Sequence, residues 1–319
     1  GDGGVSAIVE EVDATPEQRR ISEINSGLYC FDCPWLAANI GALRKSPKGE
    51  FYLTDMVAIA VSQGRKVRAL LVEDSSEVLG VNDRVQLADA DRVARKRICE
   101  ALMAKGVTIV DPSNSYIGKD VVVGADTVIQ PGTHLRGKTV IGERCEIGPN
   151  SILDNAQVGD DCTVLASVLE DARVEARVNI GPFSHLRPGA VIASGAKIGN
   201  YAEVKNSYLG EGVQMHHFSY MGDAEIGDGT NIGAGTITCN FDGVKKHKTR
   251  VGKRVFLGSD TMLRAPIELG DGARTGAGSV VTKNVPAGKL ALGVPARIVE
   301  VKGQDDNDVD THEGGESGG

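Results

Sequence analysis

Aromatic residues are scarce in this chain. Phe, Trp and Tyr make up 4% of its 319 residues, whereas glycine occurs 41 times. This composition argues against an ordinary globular core, which is rich in large rings. It favours a fold that turns often and packs small aliphatic side chains, in a chain long enough for two domains.

Two further absences exclude classes of partner. No apolar run approaches the length of a membrane-spanning helix, and no excess of Lys and Arg marks a nucleic-acid or membrane-surface protein. The formal net charge is -8, but six acidic residues follow Lys302, where no Lys or Arg occurs. The chain before this acidic end is therefore close to neutral.

The cysteines do not form a metal motif. Cys30 and Cys33 make a lone CxxC without the second pair that a zinc site needs. No metal-ligand spacing is found among the histidines of the region expected to fold, which are His134, His185, His216, His217 and His247. With no secretory signal, we interpret the cysteines as structural or incidental and expect a reducing cytoplasm.

An internal repeat predicts the fold. Aliphatic residues recur every six positions in three stretches, continued by Thr275 and Val281: Ile117, Val123, Ile129, Leu135, Ile141 and Ile147; Ile180, Leu186, Ile192, Ile198 and Val204; and Val251, Leu257, Leu263 and Leu269. The next residue is usually glycine. This is the pattern of a hexapeptide β-helix, in which three sides make a coil of about eighteen residues. Stacked coils then pair as parallel strands about 4.8 Å apart.

The segments outside the repeat define the other parts of the chain. Helical character from Asp89 to Lys105, with Gly106 as a stop, predicts a connecting helix. The first residue is Gly1 and a strand-like segment follows at once, so we expect an N-terminally truncated chain. The sequence divides into a partial α/β domain, a connecting helix, the β-helix and a disordered acidic tail, at residues 1–86, 87–106, 107–302 and 303–319.

Two stretches violate the period, residues 206–225 and 233–250. The β-helix itself requires neither interruption. The second stretch contains a polar segment, residues 236–248, that we expect to leave the coil as a loop. Loops on rigid scaffolds commonly carry function, so we expect the chemistry at these breaks.

Arg187 and Lys205 each follow an inward aliphatic residue, at corners usually given to glycine. They are one coil of eighteen residues apart, so their side chains should leave the same edge on adjacent coils. Two stacked cations suit a phosphate dianion. A pair of solvated surface cations is the alternative that spacing alone leaves open.

Other candidates come in pairs. Ser259 and Ala277, also eighteen residues apart, would line a shallow groove for an extended ligand such as the pantetheine arm of coenzyme A, or serve only the turn. His217, beside His216, is a candidate base for acylation of an amine by a thioester, although an isolated histidine is more often packed or solvent-facing. Asn231 and Asn240 have amide oxygens that can orient the amine.

The motifs resemble one enzyme family. LRPGA at 186–190, GDAEIG at 222–227 and the highly specific NIGAGTITCNFDG at 231–243 look like those of the bifunctional N-acetylglucosamine-1-phosphate uridyltransferase/glucosamine-1-phosphate acetyltransferase family. The resemblance runs from about Val5 to Arg297. It implies a left-handed parallel β-helix, an exception to the right-handed crossover rule, and a homotrimer.

The resemblance implies transfer of the acetyl group of acetyl-CoA to glucosamine 1-phosphate, for UDP-N-acetylglucosamine and hence cell-wall and lipopolysaccharide synthesis. His217 is then the general base. The sugar phosphate binds to polar residues, namely Arg187, Lys205, Tyr220, Asn231, Asn240 and Lys246. Acetyl-CoA borders Ala234, Asn240, Phe241, Ser259, Ala277 and Arg297. Most members have Tyr where Phe241 stands, and residues 293–297 look like the generic end of hexapeptide acetyltransferases.

The N-terminal part resembles the later portion of the uridyltransferase domain, through motifs at 8–11, 23–27 and 80–84. By that resemblance Glu10 and Asn25 contact the sugar nucleotide, and Asn82 is one ligand of a magnesium ion that serves only this half. The partner aspartate and the glycine-rich nucleotide loop are not found in the sequence, so we expect an incomplete uridyltransferase site.

Two other functions stay open. A sugar-phosphate nucleotidyltransferase with a merely oligomerising β-helix would have no base in the breaks of the period, whereas His217 lies in one. A non-catalytic trimeric scaffold would have no reason to stack two cations at a corner.

Overall fold

The computed structural model describes residues 4–11, 14–46 and 49–300. The acidic tail expected at 303–319 lies outside the described residues. The chain divides into two compact units, Gly1–Val93 and Ala94–Gly319.

The first unit contains two short α-helices, α1 (Cys33–Asn39) and α2 (Asp55–Ser62). Asp32 caps α1 by accepting a hydrogen bond from the backbone N–H of Trp35 at 2.8 Å. Trp35 packs with Met56 and Ala60 in a small buried cluster. The described residues of this unit also form short 3₁₀ turns and isolated antiparallel bridges: the turns are Gln18–Arg20, Ile40–Ala42 and Ser75–Val78, and the bridges join Gly4 to Arg68 and Lys45 to Phe51.

The third helix, α3 (Arg84–Met103), corresponds to the predicted connecting helix but begins five residues before Asp89. A cap explains the earlier start, because Asp83 accepts a hydrogen bond from the Gln86 backbone N–H at 2.8 Å. The helix ends three residues before Gly106, whose φ of +92° suits a glycine stop. None of the described helices is long and apolar enough to span a membrane.

The second unit is a parallel β-solenoid of three sheets, entered through β1 and a 3₁₀ turn at Pro112–Asn114. Sheet 1 contains β1 (Thr108–Ile109), β4 (Val128–Ile129), β7 (Glu146–Ile147), β10 (Thr163–Val164), β13 (Asn179–Ile180), β16 (Lys197–Ile198), β19 (Gln214–Met215), β22 (Asn231–Ile232), β25 (Phe256–Leu257), β28 (Arg274–Thr275), β30 (Leu290–Gly293) and β31 (Ala296–Val299). All described strand pairs are parallel except β30 with β31.

The chain passes from sheet 1 to sheet 2 and then to sheet 3 in each coil. Sheet 2 contains β2 (Tyr116–Ile117), β5 (His134–Arg136), β8 (Ile152–Asp154), β11 (Val168–Glu170), β14 (His185–Leu186), β17 (Ala202–Lys205), β20 (Ser219–Gly222), β23 (Ile237–Cys239), β26 (Met262–Arg264) and β29 (Val280–Val281). Sheet 3 contains β3 (Val122–Val123), β6 (Val140–Ile141), β9 (Gln157–Val158), β12 (Arg173–Val174), β15 (Val191–Ile192), β18 (Tyr208–Leu209), β21 (Ala224–Ile226), β24 (Thr249–Val251) and β27 (Ile267–Leu269).

The predicted inward positions form the core of the solenoid. Every aliphatic residue of the six-residue period is buried, and so are Thr275 and Val281. Residues in register on successive coils stack directly, as Leu186 does on Val204. The hexapeptide repeat and the parallel coil are therefore confirmed.

Glycine occupies several of the corners that follow sheet 1, and at some of them the next coil passes too close for a side chain. A Cβ on Gly233 would lie 2.6 Å from the Leu257 carbonyl oxygen, and one on Gly258 would lie 2.7 Å from that of Thr275. The corner after sheet 2 is more open, since a Cβ on Gly118 would meet the Leu135 carbonyl oxygen at an ordinary 3.5 Å. The two kinds of corner thus accept different side chains.

The first predicted break is not an interruption. Strands β17 to β21 continue the solenoid through residues 206–225, with Leu209 and Met215 facing inward. The coils here are shortened, so Val204 pairs with Met221, one position sooner than three complete hexapeptides would place its partner. A corner that loses one residue shifts the six-residue period but keeps the coil. Sequence periodicity alone therefore interpreted residues 206–225 as a break.

The second break does contain a loop. Ile226 pairs with Val251, much farther along the chain than a regular coil would place its partner, and the extra residues lie between β23 and β24. We call this segment, residues 240–248, the active-site loop. It leaves the solenoid at the corner between sheets 2 and 3.

Candidate active site

Three cations converge where sheet 2 ends. Arg187 and Lys205 are neighbours on adjacent coils, because the Arg187 backbone N–H donates to the carbonyl of Val204, the residue before Lys205, at 2.8 Å. Lys246 reaches them from the active-site loop. Its proximity and charge, followed by the charge of Arg187, lower the pKa of Lys205. We call Arg187, Lys205 and Lys246 the cation cluster, and the corner that carries it the charged edge.

The corner position alone does not distinguish the first two cations. Other long polar side chains follow the inward residue on sheet 2, among them Arg136, Asp154, Glu170 and Arg264. The expectation that this corner belongs to glycine is therefore wrong for sheet 2, for the steric reason given above. What sets Arg187 and Lys205 apart is their convergence with Lys246.

Acidic and phenolic groups border the cluster without neutralising all of it. Arg187 donates a hydrogen bond to Glu203 at 2.7 Å, and this bond, with weaker contributions from Tyr220 and Glu170, raises the pKa of Arg187. Tyr220 is stacked on Glu203 in sheet 2. Its ring lies over Gly222, where a Cβ would collide with the phenol. Glycine at this position therefore makes room for Tyr220 beside the cations.

The active-site loop is closed on itself by Asp242. This carboxylate accepts hydrogen bonds from the backbone N–H groups of Val244 and Lys245, both at 2.8 Å, and contacts His247 Nε2 at 2.6 Å. These three bonds hold the pKa of Asp242 well below its usual range. A bridge between Phe241 and Lys246 completes the hairpin, so Lys246 is presented by an ordered loop.

Asn240 begins this loop and is buried beside the charged edge. Its amide Nδ2 donates to Asp223 Oδ2 at 2.6 Å. The other oxygen of Asp223 accepts from Asn206 Nδ2, also at 2.6 Å. Sequence reasoning missed the contacts of Asp223 with the two asparagines, although Asp223 lies in the quoted motif at 222–227. The equal spacing of Asn206, Asp223 and Asn240 along the chain could have indicated them.

The opposite edge of sheet 2 carries a column of three small residues and His217. His217, Ala234, Ser259 and Ala277 each lie two positions after an inward residue of sheet 1, on four successive coils. Hydrogen bonds between coils tie this column together, including Gly278 N–H to the Ser259 carbonyl at 2.8 Å. We call this column the small-residue edge. The structure thus places His217 at the end of the predicted groove.

His217 is exposed, and its ring lies 6.4 Å from that of His216 between centroids. His216 in turn contacts Gln214 at 2.9 Å. Asn231 pairs with Gln214 on sheet 1, so it lies on the same side of the molecule as the two histidines. Asn231 does not lie at the end of sheet 2 that holds the cation cluster. Within one chain, the predicted substrate residues are therefore divided between two edges.

The remaining coenzyme candidates differ in position. Phe241 is 59% exposed on the active-site loop. Arg297 lies on β31, the antiparallel strand at the end of sheet 1, opposite Leu292. Residues Ala234, Ser259 and Ala277 are brought together, whereas Arg297 lies beyond them on the last strand.

The uridyltransferase candidates are in the first unit. Asn25 donates to the Tyr29 hydroxyl at 2.6 Å, the Asn82 backbone N–H donates to Gln86, and Glu10 is half-buried. In residues 4–11, 14–46 and 49–300, no three His, Cys, Asp or Glu side chains are grouped to hold a metal ion. The described residues around Asn82 therefore do not fit a magnesium site by themselves.

Comparison with known proteins adds independent findings. The family model described as bacterial transferase hexapeptide (six repeats) matches residues 171–206. A second, described as hexapeptide repeat of succinyl-transferase, matches residues 138–168 and 248–283. These matches cover parts of the solenoid.

Curated relatives match most of the chain. It is 47% identical over 306 residues to the bifunctional protein GlmU of Carboxydothermus hydrogenoformans, spanning 96% of this chain and 68% of that protein. It is 49% identical over 292 residues to the bifunctional protein GlmU of Pelobacter propionicus, spanning 91% and 64%. The chain thus covers about two thirds of the length of these relatives. Among solved structures, a UDP-N-acetylglucosamine acyltransferase from Francisella novicida has a TM-score of 0.43 and 18% identity, over 60% of this chain and 68% of that chain.

Proposed function

This chain belongs to the GlmU family of bifunctional proteins, and from that premise we propose that its second unit transfers an acetyl group from acetyl-CoA to the amine of glucosamine 1-phosphate. The product, N-acetylglucosamine 1-phosphate, would feed the synthesis of UDP-N-acetylglucosamine for the cell envelope.

The cation cluster is the observation that carries the proposal. Arg187, Lys205 and Lys246 carry like charges and repel one another, and Lys246 followed by Arg187 lowers the pKa of Lys205. A phosphate dianion relieves that repulsion through charge-assisted hydrogen bonds, with Arg187 as the planar fork and the lysines as point charges. Tyr220 borders the cluster and can hydrogen-bond to the sugar phosphate.

His217 and the small-residue edge supply the other half of the reaction. The pantetheine arm of acetyl-CoA lies along Ala234, Ser259 and Ala277, where the small residues expose backbone, and Phe241 and Arg297 are its further candidate contacts. The amine attacks the thioester carbonyl, His217 takes the proton that the amine loses, and the thiolate of coenzyme A leaves as the C–S bond breaks. Asn231 and Asn240 orient the amine.

A homotrimer of left-handed β-helices is part of the proposal. A strand rises about 3.3 Å per residue, so the small-residue edge and the charged edge are on the order of 15 Å apart across sheet 2. One sugar phosphate does not bridge this distance within a chain. A site between copies, with one edge from each, would join His217 to a cation cluster and exploit the flat faces of a solenoid.

For the first unit we propose the closing part of a nucleotidyltransferase domain at residues 1–86, joined to the β-helix at 107–302 by the segment 87–106. Glu10 and Asn25 would contact a sugar nucleotide. In a longer relative Asn82 would ligate Mg²⁺, an ion that neutralises phosphate charge. This assignment follows from family membership alone.

The test is release of coenzyme A thiol from acetyl-CoA with glucosamine 1-phosphate as acceptor and glucosamine as control. We expect release to depend on the phosphate. Equal rates with both acceptors would remove the role of the cation cluster, and no release with either would remove acetyl transfer.

A further inference from the structure

Asp223 connects the active-site loop to the charged edge through four hydrogen bonds. Its carboxylate accepts from Asn206 and Asn240, one amide on each oxygen, both at 2.6 Å. Its backbone N–H donates to the Lys205 carbonyl at 3.1 Å, and its backbone carbonyl accepts from the Thr249 N–H at 3.2 Å. Asp223 therefore contacts both the residue that begins the loop and the residue that follows its end.

The position of Asp223 follows from the shortened coils. Asn206, Asp223 and Asn240 occupy the same corner on three successive coils, at equal intervals along the chain. Asp223 has a φ of +51°, and Asn206 a φ of +45°. Asp and Asn tolerate this left-handed conformation better than most residues with a side chain. The corner thus favours the residue types that the hydrogen bonds use.

The carboxylate determines which way the Asn240 amide faces. The two ends of an asparagine amide have nearly the same shape, so an isolated amide can turn over. An ionised carboxylate only accepts hydrogen bonds, so Nδ2 of Asn240 must face Asp223. Oδ1 then points to the other side, and within the described residues no protein group donates to it.

We propose that Asp223 is a positioning residue for acetyl transfer. By holding Nδ2 of Asn240, it leaves Oδ1 to accept an N–H of the attacking amine, and it fixes the start of the active-site loop to the coil that bears Lys205. The inference rests on the proposed function above and adds a residue and a specific amide orientation to it.

The variant Asp223→Asn separates this role from a purely electrostatic one. It keeps the side-chain size and suits the positive φ, but it can also donate, so the Asn240 amide is no longer forced to one orientation. Removing a negative charge beside Lys205 cannot weaken phosphate attraction. A positioning role therefore predicts that kcat falls roughly tenfold to a hundredfold, while KM for glucosamine 1-phosphate does not rise and KM for acetyl-CoA stays unchanged.

Asn206→Gly is the matched control, because it removes the other amide from the same carboxylate on the exposed side and suits the positive φ of this corner. We expect its kcat to stay within about threefold of the wild type. The proposal is overturned if Asp223→Asn has wild-type kcat, or if both variants lose the same activity, which would indicate damage to the corner. Isothermal titration of glucosamine 1-phosphate without acetyl-CoA should show retained binding by Asp223→Asn, and lost binding would also overturn the proposal. Failure of the wild type to release thiol would instead defeat acetyl transfer.

Discussion

At the small-residue edge, the residue that follows the inward residue of sheet 1 is glycine on three coils. At the charged edge, the residues that follow the inward residues of sheet 2 include Arg187 and Lys205. The difference is steric. Carbonyl groups of the neighbouring coil pass within 2.7 Å of a Cβ on Gly233 or Gly258, while the corner after sheet 2 leaves room for long side chains. One repeating backbone thus produces a surface of exposed main chain on one side and a surface of charge on the other.

In the proposed function, each half of the reaction uses one of these edges. An extended, flexible ligand can follow the small-residue edge along the axis of the solenoid. A compact dianion needs the charged edge, where side chains from two coils and a loop converge. Substitution of a binding residue at one edge should therefore change KM for one substrate and leave KM for the other unaffected.

The largest effect is expected at the end of the small-residue edge. His217→Ala should lower kcat on the order of 10²–10⁴-fold, the usual loss for a general base, without unfolding the protein. Steady-state kinetics with both substrates saturating measures this. His216→Ala is the control, because the neighbouring ring contacts Gln214 and should be dispensable. Turnover near the wild-type value in His217→Ala would remove the residue from the mechanism.

At the charged edge, Arg187→Ala should raise KM for glucosamine 1-phosphate by roughly tenfold to a hundredfold, because it deletes a charge-assisted contact to phosphate. KM for acetyl-CoA should change little. Arg136→Ala, at the same corner position several coils away, should leave both constants unaltered. A parallel rise in both KM values for Arg187→Ala would indicate structural damage rather than lost phosphate binding.

The smallest effect is expected from filling the groove. Ala277→Leu should raise KM for acetyl-CoA about tenfold, since a larger side chain blocks the exposed backbone, and leave KM for the sugar phosphate unchanged. Ala176→Leu tests the same change two positions after the inward Val174 of sheet 3. Equal effects of the two leucines would show that the small-residue edge serves only the turn.

Sequence reasoning found the solenoid because one buried aliphatic residue per side is a local rule, visible in the period itself. It found Arg187 with Lys205, and Ser259 with Ala277, because the spacing of one full coil maps onto adjacent coils. The period revealed neither Asp223 nor the approach of Lys246 to Lys205, and only the family resemblance had placed these two lysines in one site. These depend on how a shortened coil and a loop return to the solenoid, which no period records.

The start of α3 was missed for a related reason. Its cap is a single side chain, Asp83, that precedes the apolar pattern. The family resemblance placed His217 and Asn240 in one reaction, but the structure shows that they leave opposite edges of sheet 2. Their roles remain predictions that the kinetic experiments above can test.

The unequal lengths of the coils have a consequence for how such a protein can change. A full coil separates Leu186 from Val204, a shortened coil separates Val204 from Met221, and a coil lengthened by the active-site loop separates Ile226 from Val251, yet each pair is stacked in register. A deletion or insertion at a corner is absorbed within one turn, and the coils before and after it keep their stacking. The molecule therefore does not propagate register errors along its axis, and new loops can be added at a corner while the distant groove keeps its shape.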